Sequence, residues 1–254
     1  MILDKIVAHK KKEIASLKAG SAPIRKAGRF YRALKDARGI AVIAEIKRKS
    51  PSKGILRKNF KPTEIAGQFG RSGASALSVL TDRKFFGGSG AILKQVRRST
   101  KLPLLRKDFI ISEAQIPESV AMGADAILLI AAILSRKKMA ELAALASRAG
   151  LDVLFEAHTA SELKKILAVK PKIVGINNRD LRTFRVDLKT TEKLAPKIPK
   201  GVLLVSESGI RDAADLARLK KSGVKAVLVG ESLMKEKDPG AALKKILGVS
   251  HGPR

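Results

Sequence analysis

A closed (β/α)8 barrel with a helical extension at its amino end is the fold predicted by this 254-residue sequence, and three observations predict it. From about residue 41 onward, eight short apolar, β-branched runs alternate with longer stretches of helical period. The length suits one such barrel with a single large core. The first apolar run leads into the charged stretch EIKRKSPSKG, where an open doubly wound sheet would carry a glycine-rich dinucleotide fingerprint.

Residues 1–40 precede the first strand and show one helical pattern over 2–17, followed by a connector punctuated by Pro and Gly. This extension is expected either to cap the barrel floor or to lie near its mouth. Strands are expected over 41–46, 76–80, 103–105, 125–130, 152–156, 172–176, 202–205 and 225–229. Between them, helices are expected over 63–72, 135–149, 161–168 and 212–221, with Gly73, Gly150 and Gly223 as C-caps of three of them. Strictly alternating strands and helices demand parallel pairing through right-handed crossovers, and eight units favour closure. No interdomain linker or sequence repeat interrupts residues 1–254, which read as a single domain, and the final SHGPR reads as a frayed tail.

Composition narrows the chemistry. Aromatic residues make up only 4% of the chain and Trp is absent, so the core must be built from Val, Ile, Leu and Ala. Lys and Arg total 52 against 23 Asp and Glu, a formal charge of +29 that attracts anions of every kind. These basic residues are scattered along nearly every segment, and there is one Tyr for base stacking, so a specific nucleic-acid partner is not expected. Cys is absent, which excludes disulfides, thiolate catalysis and Cys-ligated metal. His occurs only at positions 9, 158 and 251, too few and too scattered for a His-based metal cage. The longest apolar run, 126–134, falls well short of the ~20 residues of a membrane span. The first residues carry Asp4 and Glu13 and lack the features of a signal or transit peptide. A cytoplasmic protein, monomeric and without a membrane partner, is the expectation.

In a barrel the working groups come from the carboxyl ends of strands and the loops after them. Glu45 and Lys47 lie two apart on the first strand and share a face. Lys107 follows the third run, and Glu156 ends the fifth. The sixth leads into Asn177 and Arg179, and the seventh into Ser206, Glu207 and Ser208. Any one of these alone is an ordinary solvated residue at a strand end. Five strands doing the same thing place charges together, and such charges repel or desolvate one another unless a substrate uses them. After the seventh and eighth strands, SGI at 208–210 and VGESL at 229–233 stand where barrels bind phosphate, with Gly209 and Gly230 permitting close approach. FFGGSG at 85–90 reads equally as a mobile loop offering Phe86 to an aromatic substrate or as a loop anchored to the rim. His158, two residues beyond Glu156, is assigned an orienting or structural role.

AEIKRKSPSKG at 44–54, LSVLTDRKFFGGS at 77–89, LLRKDFI at 104–110, GADAILLI at 123–130, GINNRDL at 175–181, VSESGI at 205–210 and VGESLM at 229–234 resemble, in order and over nearly the whole chain, the indole-3-glycerol phosphate synthase family. The resemblance implies a cofactor-free enzyme that converts an anionic small molecule, 1-(2-carboxyphenylamino)-1-deoxyribulose 5-phosphate, into indole-3-glycerol phosphate, carbon dioxide and water. It implies Lys107 as general acid, Lys47 and Glu156 as the acid and base of dehydration, and Glu45, Glu207 and Asn177 as orienting members of the catalytic set. Ser50, Phe86, Phe109, Leu128, Arg179, Leu181, Ser208 and Leu228 are then substrate-binding, and Lys47, Gly209, Gly230 and Glu231 hold the phosphate. The chain departs from the family pattern at Arg83, Ser112 and Phe155, none of them a proposed catalytic group; Phe155 is expected to point away from the face of Glu156. Two readings stay beside this one. The first is another ribulose-phosphate-binding barrel, such as phosphoribosylanthranilate isomerase, which lacks the paired lysines with Glu156. The second is a non-catalytic basic barrel that binds nucleic acid.

Overall fold

Eight parallel strands close into one barrel in the computed structural model, which describes residues 2–17, 20, 27–180 and 183–249. In chain order they are β1 (Ala41–Ile46), β2 (Ala76–Leu80), β3 (Leu104–Lys107), β4 (Ala126–Ile130), β5 (Asp152–Ala157), β6 (Ile173–Asn177), β7 (Leu203–Glu207) and β8 (Ala226–Val229). Each pairs with its sequence neighbours, and β1 closes on β8 through Ala41 opposite Ala226 to Ala44 opposite Val229. The expected (β/α)8 barrel is therefore the observed one. Helices follow the strands, and Asp212, Thr159 and Ser135 cap three of them by accepting backbone N–H bonds on their side chains.

The period of two along each strand sorts the core into two layers. Ile43, Leu105, Leu128, Leu154, Val205 and Leu228 fill the lumen, while Val42, Leu77, Val79, Ile127, Phe155 and Val227 pack outward against the helices. Phe155 thus points away from the face that carries Glu156, as expected. Strands β3, β6 and β7 run further than their apolar runs, taking in Lys107, Asn177 and Glu207. Ladder hydrogen bonds belong to the backbone, so a polar side chain does not end a strand whose neighbours continue.

The extension departs from expectation in two ways. Its first helix, Ile2–Glu13, is shorter than the pattern over 2–17, the chain passing into turns after Glu13. A second helix, Arg29–Lys35, lies in what reads from sequence as a connector. Seven residues are too few for a period to declare itself, and Gly28 at its N-cap offers no side-chain acceptor. The two helices sit at opposite ends of the barrel, so the extension both caps the floor and reaches the mouth. At the floor, Phe30 and Leu34 are buried against the lumen cluster, the Tyr31 N–H donates to Asp152 Oδ2 at 2.9 Å, and Arg29 pairs with Asp125. At the mouth, Lys10 of the first helix is 1% exposed, and its Nζ lies 2.9 Å from Asp108 Oδ1, 3.3 Å from Asp82 Oδ2 and 3.0 Å from Glu13 Oε2.

Those contacts tie the helix to the loops after β2 and β3. Asp82 Oδ1 accepts the N–H groups of Phe85 and Phe86 at 2.8 and 3.3 Å, and Asp108 Oδ1 accepts that of Phe109 at 2.8 Å. Burial pushes the Asp108 carboxyl up, but Arg106 and Lys10 beside it reverse this and hold it below the usual range. Its stabilisation is therefore present above the unfolded value of ~3.9 and is lost as pH falls toward the lower folded one. Lys10→Met leaves Asp82 and Asp108 buried without their ammonium, and a loss of about 3 kcal/mol in urea unfolding at pH 7 is expected. A change below about 0.5 kcal/mol, the size of an ordinary surface effect, would show that the clamp contributes nothing.

Candidate active site

The carboxyl ends of the strands surround a cavity of about 580 Å³. Glu45 (β1), Lys107 (β3), Glu156 (β5), Asn177 (β6) and Glu207 (β7) all face it, with Lys47 just beyond β1. All six are thus brought together, as their positions at strand ends imply. Lys47 ion-pairs with Glu45, whose other oxygen accepts from Ser78 Oγ at 3.4 Å. Lys107 Nζ lies 3.1 Å from Glu156 Oε2 and 3.4 Å from Glu207 Oε2. Asn177 Oδ1 accepts from Ser208 Oγ at 2.9 Å and from the Arg179 backbone N–H at 3.0 Å, joining β6 to the turn after β7. That turn passes through two left-handed residues, Ser208 (φ 65°) and Gly209 (φ 87°). A non-glycine residue there costs about 1 kcal/mol, and the bond to Asn177 helps to hold it.

Two glycines leave room for the carboxylates. A Cβ at Gly175 would lie 2.2 Å from Glu207 Oε1, and one at Gly230 would lie 2.5 Å from Glu45 Oε1. Gly230, in the loop after β8, therefore makes room for the Glu45 carboxylate.

Three buried carboxylates face two ammonium groups, and the protons are distributed accordingly. Burial pulls the Lys107 ammonium down, but Glu156, Glu207 and Glu45 together hold it well above its ordinary value. Burial pushes Glu156 up, yet Lys107 and His158 overcome this and leave it far below the carboxylate range. Glu45 is likewise lowered, burial being outweighed by Lys47 and Lys107. Glu207 is the surplus acid. Burial raises it, Lys107 only partly offsets that, and the charges of Glu156 and Glu45 add to it, so it is pushed up to about 8. Neither of its oxygens has a hydrogen-bond partner among the described residues.

The rest of the cup is divided. On one side Phe86 and Phe109, with ring centroids 6.1 Å apart, lie beside Leu128 and Leu228. Phe86 ends a short helix, Arg83–Phe86, capped by Asp82, and Gly88 sits against the backbone of Leu80, so the 85–90 stretch fits the rim-anchored of its two readings. On the other side are Gly209, Gly230 and Glu231, with Ser50 and Arg179 also in the wall. Glu231 contributes a negative charge where an anion is expected, but Arg179 at 2.7 Å and Lys235 at 2.6 Å neutralise it. Leu181 lies outside the described residues.

Sequence reasoning missed part of the wall and part of the bracing. Ile2, Leu3 and Ile6 of the first helix line the cavity; their spacing marks an apolar helix face, but nothing local says what that face meets. Asn178 is buried and donates to Ser206 Oγ, the Glu207 carbonyl and the Ser208 carbonyl at 2.9 to 3.0 Å, fixing the end of β7. Its place beside Asn177 was the one available signal. Among the described residues no group of three or more His, Cys, Asp or Glu is arranged to hold a metal ion, and no helix is long and apolar enough to cross a membrane.

A family model described as indole-3-glycerol phosphate synthase matches residues 3–246. A protein of that name from Aromatoleum aromaticum is 46% identical, covering 97% of this chain and 99% of the relative. Another from Bacillus velezensis is 47% identical over 97% of this chain and 100% of its own length. One from Dehalococcoides mccartyi is 51% identical over 83% of this chain and 82% of its own. Among solved structures, thiamine phosphate pyrophosphorylase from Pyrococcus furiosus superimposes with a TM-score of 0.63 at 15% identity, over 83% of this chain and 95% of that one. KGPDC from Streptococcus mutans gives 0.62 at 12%, over 84% and 97%. At such identities these two matches speak for the barrel alone.

The state of Glu207 is open to measurement. Its folded value lies above the unfolded one, so its ionisation penalises the fold; the penalty is absent below about pH 4.3 and grows as pH rises toward 8. Glu207→Gln removes the penalty and is expected to raise unfolding stability by about 1–3 kcal/mol at pH 7–8, with no gain at pH 4. A destabilised variant at pH 8 would show that Glu207 is a settled ion-pair partner of Lys107.

Proposed function

The chain belongs to the indole-3-glycerol phosphate synthase family, and we propose that the cup at its barrel mouth performs that reaction with Lys107, Glu156 and Lys47 as the groups that move protons. The substrate is 1-(2-carboxyphenylamino)-1-deoxyribulose 5-phosphate. What supports the assignment is the pair at 3.1 Å, Lys107 and Glu156, held inside one cavity in opposite charge states. The environment keeps the ammonium protonated and the carboxylate ionised, so acid and base stand ready together at neutral pH.

In ring closure the aromatic carbon bearing the carboxylate attacks the ketone carbon, and the electron pair of the C=O bond moves to oxygen. Lys107 gives that oxygen its proton. Loss of carbon dioxide returns the C–C bonding pair to the ring and restores aromaticity, which makes the enzyme a carboxy-lyase. Dehydration then removes the new hydroxyl as water, with Lys47 protonating the leaving oxygen and Glu156 taking the proton whose loss completes the indole. Glu45 holds Lys47, and Glu207 and Asn177 orient the substrate and the proton-carrying groups around them.

The two sides of the cup match the two ends of the substrate. Phe86, Phe109, Leu128 and Leu228 offer an apolar bed to the ring, while Gly209 and Gly230 let phosphate oxygens approach backbone N–H groups. Glu231 contributes its backbone there, and Lys47 supplies charge between the two sides. Ser50, Arg179 and Ser208 complete the contacts. A monomeric cytoplasmic enzyme of tryptophan biosynthesis that needs neither metal nor organic cofactor is the corresponding whole-protein reading.

Indole fluorescence reports product directly. With the carboxyphenylamino substrate the protein is expected to turn over, and Lys107→Met is expected to lower kcat by about 10³-fold or more. Binding of a reduced, unreactive substrate analogue should change by less than about threefold, since the lysine acts in the transition state. Near-normal turnover by the variant would remove Lys107 from the acid role.

A further inference from the structure

His158 stands two residues beyond Glu156, just past the end of β5, and one of its ring nitrogens is already committed. Nδ1 lies 3.2 Å from the backbone carbonyl of Asn177, an atom that can only accept, so Nδ1 carries a hydrogen in every state of the ring. Nε2 is left facing Glu156 Oε1 at 3.3 Å, buried and without an aligned hydrogen-bond partner among the described residues. A bare Nε2 would set its lone pair against a carboxylate oxygen in a dry site. A proton on Nε2 converts that repulsion into an ion pair. The two oxygens of Glu156 are thereby divided, Oε1 toward His158 and Oε2 toward Lys107 at 3.1 Å.

We propose that His158 is a positioning residue, present as an imidazolium whose Nε2–H holds Oε1 of Glu156 and reserves Oε2 for the proton taken from the substrate. The inference rests on the reading of Glu156 as the base. The groups around the ring agree with a retained charge. Glu156 stands near the end of the strand that leads into it, Glu162 on the helix Ala160–Leu167 accepts the His158 backbone N–H at 2.7 Å, and Glu207 on β7 is within electrostatic reach. Burial pulls the imidazolium down, but the hydrogen bond and charge of Glu156 and the charge of Glu162 raise it above the ordinary histidine value, Glu207 adding to this only as it loses its own proton.

The charge has a kinetic consequence. Below its own titration His158 keeps Glu156 ionised and turned; above it, Oε1 meets a lone pair and the base loses its hold. His158→Gln keeps an N–H donor of similar reach but removes the charge. Its kcat at neutral pH is expected to fall about tenfold with KM within about twofold. The acid limb of its kcat profile should move to higher pH, because Glu156 has lost a neighbouring cation. A residue that merely filled space would lower kcat equally at every pH.

A second measurement needs no turnover. The chain has only three histidines, so the His158 imidazole signals can be assigned by comparing wild type with His158→Gln. In an NMR titration His158 should lose its proton above the ordinary value of ~6.5, and its midpoint should drop in Glu156→Gln. A midpoint at or below the ordinary value, one unmoved in Glu156→Gln, or an unshifted acid limb in His158→Gln would each overturn the proposal. An inactive wild-type protein with the expected titration would instead overturn the assigned reaction and leave the ion pair standing.

Discussion

The site depends on the burial of more carboxylates than ammonium groups inside a closed barrel. Glu45, Glu156 and Glu207 share the cup with Lys47 and Lys107, and the three carboxylates are buried while the two lysines keep only a small part of their side chains exposed. Each pair is held by geometry, and the odd acid keeps its proton more firmly than a free glutamic acid does. An apolar lumen lined with the same backbone would make a more stable barrel. The charge imbalance leaves the site divided into proton donors and proton acceptors before anything enters it.

That arrangement requires strands that do not move, and the extension secures them at both ends. Phe30 and Leu34 plug the floor of the lumen, while the first helix lies across the mouth on the Lys10 clamp. The clamp has a second effect. Its two aspartates also hold the backbone N–H groups next to Phe86 and Phe109, so one buried ammonium ties the aromatic side of the cup to the segment that carries Lys107. Stability at the rim and the shape of the aromatic bed therefore have a common origin.

The surface charge stands apart from this. A net +29 brings anions toward the molecule at long range, but the cup itself holds only two lysines among its strand-end charges, both paired to glutamates. Nothing in the architecture of the site calls for the remainder. The basic residues do not gather on one face in the sequence, and the wall of the cavity is mixed in sign, with Glu231 set between Arg179 and Lys235.

Much of this was legible in the sequence. Eight apolar runs separated by helical stretches call for a parallel sheet, and their number, with no glycine-rich fingerprint after the first, favoured closure over an open doubly wound sheet. Polar residues at the strand ends named Glu45, Lys107, Glu156, Asn177 and Glu207, because in this fold all strand ends point to one face. The helix Arg29–Lys35 was too short to show a period, and the apolar face of Ile2, Leu3 and Ile6 had no visible target. Long-range pairing decided what remained: which carboxylate meets which ammonium, where Lys10 docks, and that His158 faces Glu156 with its other nitrogen occupied. Local pattern determines which face of an element is polar, but the proton affinity of a buried group is set by charges from other strands, and only closure of the barrel brings those within a few ångströms.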